Sequence, residues 1–64
     1  MTEPWPTLDE QIAAVEREIE MRKYVYPRRV AEGKMTTALA DRETTRMRAV
    51  LATLHMVKAQ GRLP

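Results

Sequence analysis

Few side chains in this sequence are equipped for covalent or acid–base chemistry. Cys and Ser are absent and His55 is the only histidine. That removes the commonest nucleophiles and leaves one imidazole without a second to share a metal ion. By helical phase His55 falls on a flank near the chain's C-terminal end, where a lone imidazole reads as a solvated side chain. The two glycines, Gly33 and Gly61, are too far apart for a phosphate-cradling loop. The residue inventory therefore points away from an enzyme, and it implies neither a cofactor nor a metal.

Charge placed where apolar residues are expected is the more informative chemistry. One apolar stripe runs through Leu8, Ile12, Val15, Ile19, Arg22, Tyr26 and Val30, and a second through Leu39, Glu43, Met47, Val50, Leu54, Val57 and Gly61. Arg22 and Glu43 are the charged members. Paired outside-in, Leu8 meets Gly61, Ile12 meets Val57, Val15 meets Leu54, Ile19 meets Val50, Arg22 meets Met47, Tyr26 meets Glu43 and Val30 meets Leu39. An ion pair between Arg22 and Glu43, joined by the Tyr26 hydroxyl, would form a structural polar layer that fixes register or oligomeric state. The competing reading, a polar pocket, would need a nucleophile or metal that the sequence does not supply nearby.

The overall charge is only +2, but it is unevenly spread. Residues 1–20 hold six acids against Arg17, and residues 22–46 hold seven bases against three acids, a net +4. The bases include Arg28, Arg29, Lys34, Arg42 and Arg46, with Tyr24 nearby as a stacking ring. Solvated surface is the plain reading of such a region. An anionic partner, nucleic acid or an acidic protein face, is the sharper one. Glu32 and Asp41 interrupt the basic run, and no helix-turn-helix pattern is present.

The elements that must position these residues are two helices. Pro4 and Pro6 bias residues 1–7 towards an extended lead-in holding Trp5. Thr7-Leu8-Asp9-Glu10 is a capping box, so the first helix starts near Leu8. Val30 continues its stripe in phase beyond Pro27, which predicts one helix over about 8–32 kinked near Pro27, with a break into two helices as the alternative. Gly33 suits a left-handed helix terminus. Thr36 or Thr37 caps a second helix over about 36–60, Gly61 ends it, and 62–64 form a tail. The expected fold is all-α, an antiparallel two-helix hairpin spanning 8–61.

Two helices cannot enclose a core, and 64 residues without a disulfide are marginal alone. Met21, Val25, Ala40 and Leu51 widen the stripes and are the expected contacts of a homodimer with a four-helix arrangement. Trp5 is expected to fold over the open end against Val57 or Leu63, or to serve as a partner anchor. No run approaches the about 20 apolar residues of a membrane span. The first residues lack the charge and apolar core of a signal peptide. A cytoplasmic protein away from membranes is the expectation.

The stretches Glu16-Arg17-Glu18-Ile19-Glu20-Met21-Arg22, Val25-Tyr26-Pro27-Arg28, Val30-Ala31-Glu32-Gly33-Lys34-Met35-Thr36 and Ala40-Asp41-Arg42-Glu43, with Met47 and the leader Pro6-Thr7-Leu8-Asp9-Glu10-Gln11-Ile12, form a pattern over most of the chain. It resembles small uncharacterised proteins encoded by tailed phages and prophages of proteobacteria. The resemblance carries over no catalytic residue. It implies an accessory protein in a bacterial cytoplasm that binds a host or phage protein. Tyr24, Arg28, Arg29, Lys34 and Trp5 are the candidate partner-binding residues. The runner-up is a small nucleic-acid-binding accessory protein using the basic turn end.

Overall fold

The computed structural model describes residues 4–61 and contains two helices. Helix α1 spans Leu8–Ala31 and α2 spans Thr37–Gln60, packed against each other as a hairpin. Each end is set by local chemistry. The Thr7 N–H donates to Glu10 Oε1 at 2.8 Å and the Glu10 N–H donates to Thr7 Oγ1 at 3.1 Å, the reciprocal capping box. Thr36, not Thr37, caps α2, its hydroxyl accepting from the Leu39 N–H at 3.1 Å. Helix α1 runs unbroken through Pro27, so the break into two helices is not realised.

The turn between the helices is a Schellman closure. The Gly33 N–H donates to the Val30 carbonyl at 3.0 Å and the Lys34 N–H to the Arg29 carbonyl at 2.9 Å. This pattern satisfies the last free carbonyls of α1 only when the residue after the cap is left-handed. Gly33 has φ +74° there, and Gly61 repeats the device at the end of α2 with φ +62°.

The helices are in register at both ends. At the turn end, Tyr26, Pro27 and Val30 of α1 line one groove with Thr37, Ala40 and Thr44 of α2. At the open end, Lys58 Nζ lies 2.6 Å from Asp9 Oδ1. The seam is an antiparallel packing with little depth. Among the described residues only Ile12 (6% exposed) and Ala40 (8%) are buried, while Leu8, Val15, Ile19, Tyr26, Val30, Met47, Leu51 and Leu54 are half-buried.

The α2 stripe departs from the sequence expectation at Val50, while Leu39, Glu43, Met47, Leu54 and Val57 are half-buried as part of it. Val50, expected opposite Ile19, is 46% exposed, and Leu51 takes the inward position. Ala40, expected in a dimer interface, is buried inside the hairpin instead. The cause is size. Its methyl group is small enough to sit against α1 close to the turn, where a short connection holds the helices together. The inward run Ala40, Thr44, Met47, Leu51, Leu54 then follows the alternating four- and three-residue steps of a coiled-coil seam. Thr44 is accommodated because its hydroxyl donates to the Ala40 carbonyl at 2.9 Å.

The molecule is a thin plate of 44 × 31 × 13 Å. Its accessible surface is 5420 Å², against about 4,200 Å² for a compact monomer of its mass and about 10,700 Å² for the unfolded chain. Folding of this chain alone therefore hides about half of the unfolded surface, less than the ~60% of a compact domain of this size.

Two outcomes follow from the helix ends. Gly33→Ala meets no steric neighbour, so its cost is that of the left-handed backbone alone, about 1–2 kcal/mol; thermal melts read by circular dichroism measure it, and Gly33→Asn should cost less. The Glu10 carboxyl is held below its ordinary value by the Thr7 N–H, and secondarily by the Thr7 hydroxyl. A lowered folded pKa means the stabilisation is full above the unfolded value and is lost as pH falls through the folded one. Protection of the Thr7 amide, measured against its intrinsic exchange rate, should fall as pH drops through the acidic carboxylate range, and Glu10→Gln should abolish that change in protection.

Candidate functional site

The turn-end half of the hairpin gathers the features that sequence reasoning singled out, though not as one constellation. Arg22 is their centre. Its Nη1 lies 2.7 Å from Glu18 Oε2 and donates to the Glu18 carbonyl at 3.2 Å. Its Nε donates to the Tyr26 hydroxyl at 2.9 Å, and the guanidinium carbon sits 5.8 Å from the Tyr26 ring centroid. Tyr26 thus holds Arg22 by a hydrogen bond and by its ring face. That hydrogen bond, followed by the Glu18 carboxylate, raises the pKa of Arg22 further above its usual value against the opposing effect of burial.

The expected Arg22–Glu43 ion pair does not form. Glu43 pairs with Arg46 at 3.6 Å on its own helix, and Arg22 pairs with Glu18 on its own. The reason is reach. A carboxylate four residues back on the same helix is a neighbour by construction, whereas bridging the seam would hold two long side chains extended. The layer is also not buried: the Arg22 side chain is 27% exposed and that of Glu43 37%. The Arg22–Tyr26 half of the expected layer is present.

Beside it lies a groove of about 450 Å³, lined by Arg22, Lys23, Tyr26, Pro27, Val30 and Ala31 of α1 and Thr37, Ala40, Asp41 and Thr44 of α2. It exists because small side chains face each other. Ala31, Ala40, Thr37 and Thr44 leave room that leucines would fill. Arg22, Tyr26, Pro27, Val30, Thr37, Ala40 and Asp41 were read from sequence in other roles, but not as one groove; the available signal was the run of small residues flanking the turn. The groove offers a cation, a phenol, an Asp41 carboxylate and two threonine hydroxyls around an apolar floor. This suits the recognition of a polar or charged side chain. The Thr44 hydroxyl already spends its hydrogen on a carbonyl.

The candidate partner residues are distributed around this end. Tyr24 is 73% exposed, and Arg28 lies one turn further on the same outer edge of α1. Arg29 projects on another side of α1, and Lys34 in the turn lies 3.7 Å from Glu32. Among the described residues no carboxylate lies within ion-pair distance of Arg28, Arg29 or Arg42. Met21, at 51%, is exposed and Val25 is half-buried.

At the open end a second groove, about 430 Å³, is lined by Trp5, Pro6, Thr7, Leu8, Asp9, Gln11, Val57, Lys58 and Gly61. The lead-in is tied down where Gln11 Nε2 donates to the Pro6 carbonyl at 3.1 Å. Trp5 forms the rim of this groove and is 87% exposed, so it does not close the end against Val57 as expected. Flanking prolines keep it on an extended segment. Leu63, its other expected contact, lies outside the described residues.

Among the described residues, no group of three or more His, Cys, Asp or Glu is placed to hold a metal ion, and no helix is long and apolar enough to cross a membrane. Compared with known proteins, the chain matches no family model, no curated protein and no solved structure.

The geometry reverses what mutations of the polar layer should do. Arg22→Met is expected to cost about 1 kcal/mol, the scale of a partly exposed ion pair with an added hydrogen bond. A double-mutant cycle of Arg22→Met with Glu43→Leu should show coupling near zero, and the same cycle with Glu18→Gln a few tenths of a kcal/mol. Urea denaturation of the four chains in each cycle checks this.

Proposed function

We propose that this protein is a non-enzymatic accessory factor that works by protein–protein contact, self-associates as a homodimer and presents its turn-end half to a second protein. The single observation that carries the reading is the plate itself: two buried residues among those described, and about 30% more surface than a compact chain of this mass leaves exposed. Surface of that kind is stable when covered. Arginine and aromatic side chains are the types most often found as binding anchors, and Tyr24 and Arg28 stand together on the outer edge of α1. The sequence resemblance supports a phage or prophage origin and a working place in the bacterial cytoplasm, with a host or phage protein as the partner.

The alternative, nucleic-acid binding, is favoured by a specific observation. Arg28, Arg29 and Arg42 make no ion pair among the described residues, and they belong to the half that carries +4. They stand as separate points, Arg28 and Arg29 on different sides of α1 and Arg42 on α2, rather than as one continuous stripe.

The two readings separate by mutation and salt. Affinity capture from a phage-bearing bacterial lysate, with mass spectrometry, supplies the complex. If the partner is a protein, Tyr24→Ala or Arg28→Ala should weaken that complex at least tenfold with an unchanged melting temperature. If it is nucleic acid, Arg28, Arg29 and Lys34 should contribute about equally, and affinity should fall steeply between 50 and 200 mM salt, by about 10³ or more for six contacts. Alanine substitution at all four positions that leaves every complex intact would move the working surface to Trp5 and the open end.

A further inference from the structure

Resting on the self-association reading, we propose that the homodimer forms head to tail through one broad face of the plate, the face carrying Met21, Val25, Leu39, Val50 and Val57. The two broad faces are chemically unlike. Successive residues of a helix are about 100° apart. With the mean direction of the α1 stripe and that of Ala40 taken as the seam, Val25 lies on one flank of α1 with Met21 beyond it towards the outer edge, and Lys23 and Pro27 lie on the other flank. Helix α2 runs the opposite way, so its sense of rotation is reversed. This brings Leu39, Val50 and Val57 to the Met21 side, and Thr37, Asp41 and Thr44 to the Lys23 side. The groove confirms the second half of this division, since it gathers Lys23, Pro27, Thr37, Asp41 and Thr44.

The large apolar residues of the two helices outside the seam thus lie on one face, interleaved with Glu18, Arg29, Glu43 and Arg46, apart from Tyr24 and Met56 on the outer edges. Met21 is 51% and Val50 46% exposed, and Val25, Leu39 and Val57 are half-buried. A second copy is the occupant that fits. The surface in excess of a compact monomer, about 1,200 Å² over the whole molecule, is of the same order as the about 800 Å² that each partner contributes to a standard stable interface. A plate 13 Å thick doubled through its apolar face becomes a four-helix layer pair with an inside.

Charge selects the direction. A two-fold axis along the helices would set turn end on turn end, +4 against +4. A two-fold axis across the helices sets the +4 half of each copy on the half that carries −2, and complementary potential favours that arrangement. The crosswise axis passes near the middle of α1, Leu8–Ala31.

The chain has no cysteine, so single-cysteine variants report proximity cleanly. Met21→Cys lies close to the proposed axis, Glu20→Cys at the same height on the opposite face, and Lys34→Cys at the hairpin tip. All three positions are exposed and should leave the fold intact, which circular dichroism checks. Under mild oxidation at micromolar protein, Met21→Cys is expected to form disulfide dimer at least tenfold faster than the other two. Val50→Asp in the otherwise unaltered chain should raise the dimer dissociation constant at least tenfold in sedimentation. Fastest cross-linking of Lys34→Cys would overturn the head-to-tail direction. Fastest cross-linking of Glu20→Cys, or equal rates for all three, would overturn the face. In these cases a sedimenting dimer leaves the self-association reading standing. A 7.4 kDa species at every concentration from micromolar to millimolar would overturn both.

Discussion

A side chain at the contact of two helices is covered from one direction by its neighbour helix, while the sides above and below remain open to water. In a single layer 13 Å thick this holds for every position along the seam. Ile12 reaches full burial because it sits among the larger residues of the open-end half, and Ala40 because its side chain is one methyl group. The others stop half-way. Each half-buried leucine or valine recovers only part of the about 25 cal/mol per Å² that complete burial would return, while ordering its backbone costs the same as in a deeper fold. Much of the rest of the structure answers that shortfall. The chain spends its local devices at the helix ends, where they need no core: a reciprocal capping box at Thr7, a threonine cap at Thr36, a Schellman closure through Gly33 and a second left-handed glycine at Gly61.

These end devices were legible in the sequence because their physics is local. A capping box is four residues long, and a left-handed glycine declares itself by having no Cβ. Which of Val50 and Leu51, and of Leu39 and Ala40, turns further inward was harder to read because the apolar band of α2 is wide. Leu39 and Ala40 are adjacent, as are Val50 and Leu51, so two stripes one residue apart are equally hydrophobic. What chooses between them is steric. Close approach beside a short turn favours Ala40 inward over Leu39, and Leu51 follows from Ala40 at coiled-coil spacing. The polar layer was misread for a related reason. Register placed Arg22 and Glu43 in adjacent layers, but each had a partner of opposite charge within one turn of its own helix, and the local pair forms first. The turn-end groove takes Arg22, Tyr26 and Val30 from the α1 stripe, but the stripe could not show it as a groove, since it is made of volume that Ala31, Thr37, Ala40 and Thr44 do not fill.

The asymmetry between the two ends has a physical consequence that the fold alone does not require. In a hairpin stabilised mainly at its ends, electrostatics could be spread evenly at no structural cost. Here the acids cluster in the first half of α1 and the bases around the turn. Asp9 and Lys58 use the polarity once, locking the open end by an exposed ion pair that contributes little in free energy but fixes which residues meet. The remaining polarity is turned outward. A long-range field of this kind acts on encounter and orientation more than on affinity, which is the role the proposed head-to-tail dimer gives it.

Coupling between folding and association then follows from the surface itself. The face that carries Met21 and Val50 is contiguous with the half-buried seam beneath it, so whatever covers that face also completes the burial of Val25, Leu39 and Val57. Covering it adds stability to the hairpin and affinity to the complex through the same side chains, and the two cannot be varied independently. In the proposed assembly the apparent stability rises with protein concentration by mass action. The groove face, lined by threonines, Lys23 and Asp41, stays outward in that arrangement, as does the outer edge bearing Tyr24 and Arg28. On that proposal the face that would be covered by the second copy is separate from the groove face and from the outer edge that would meet another protein. A chain of 64 residues can thus contribute one broad face to its own stability and keep the other for recognition.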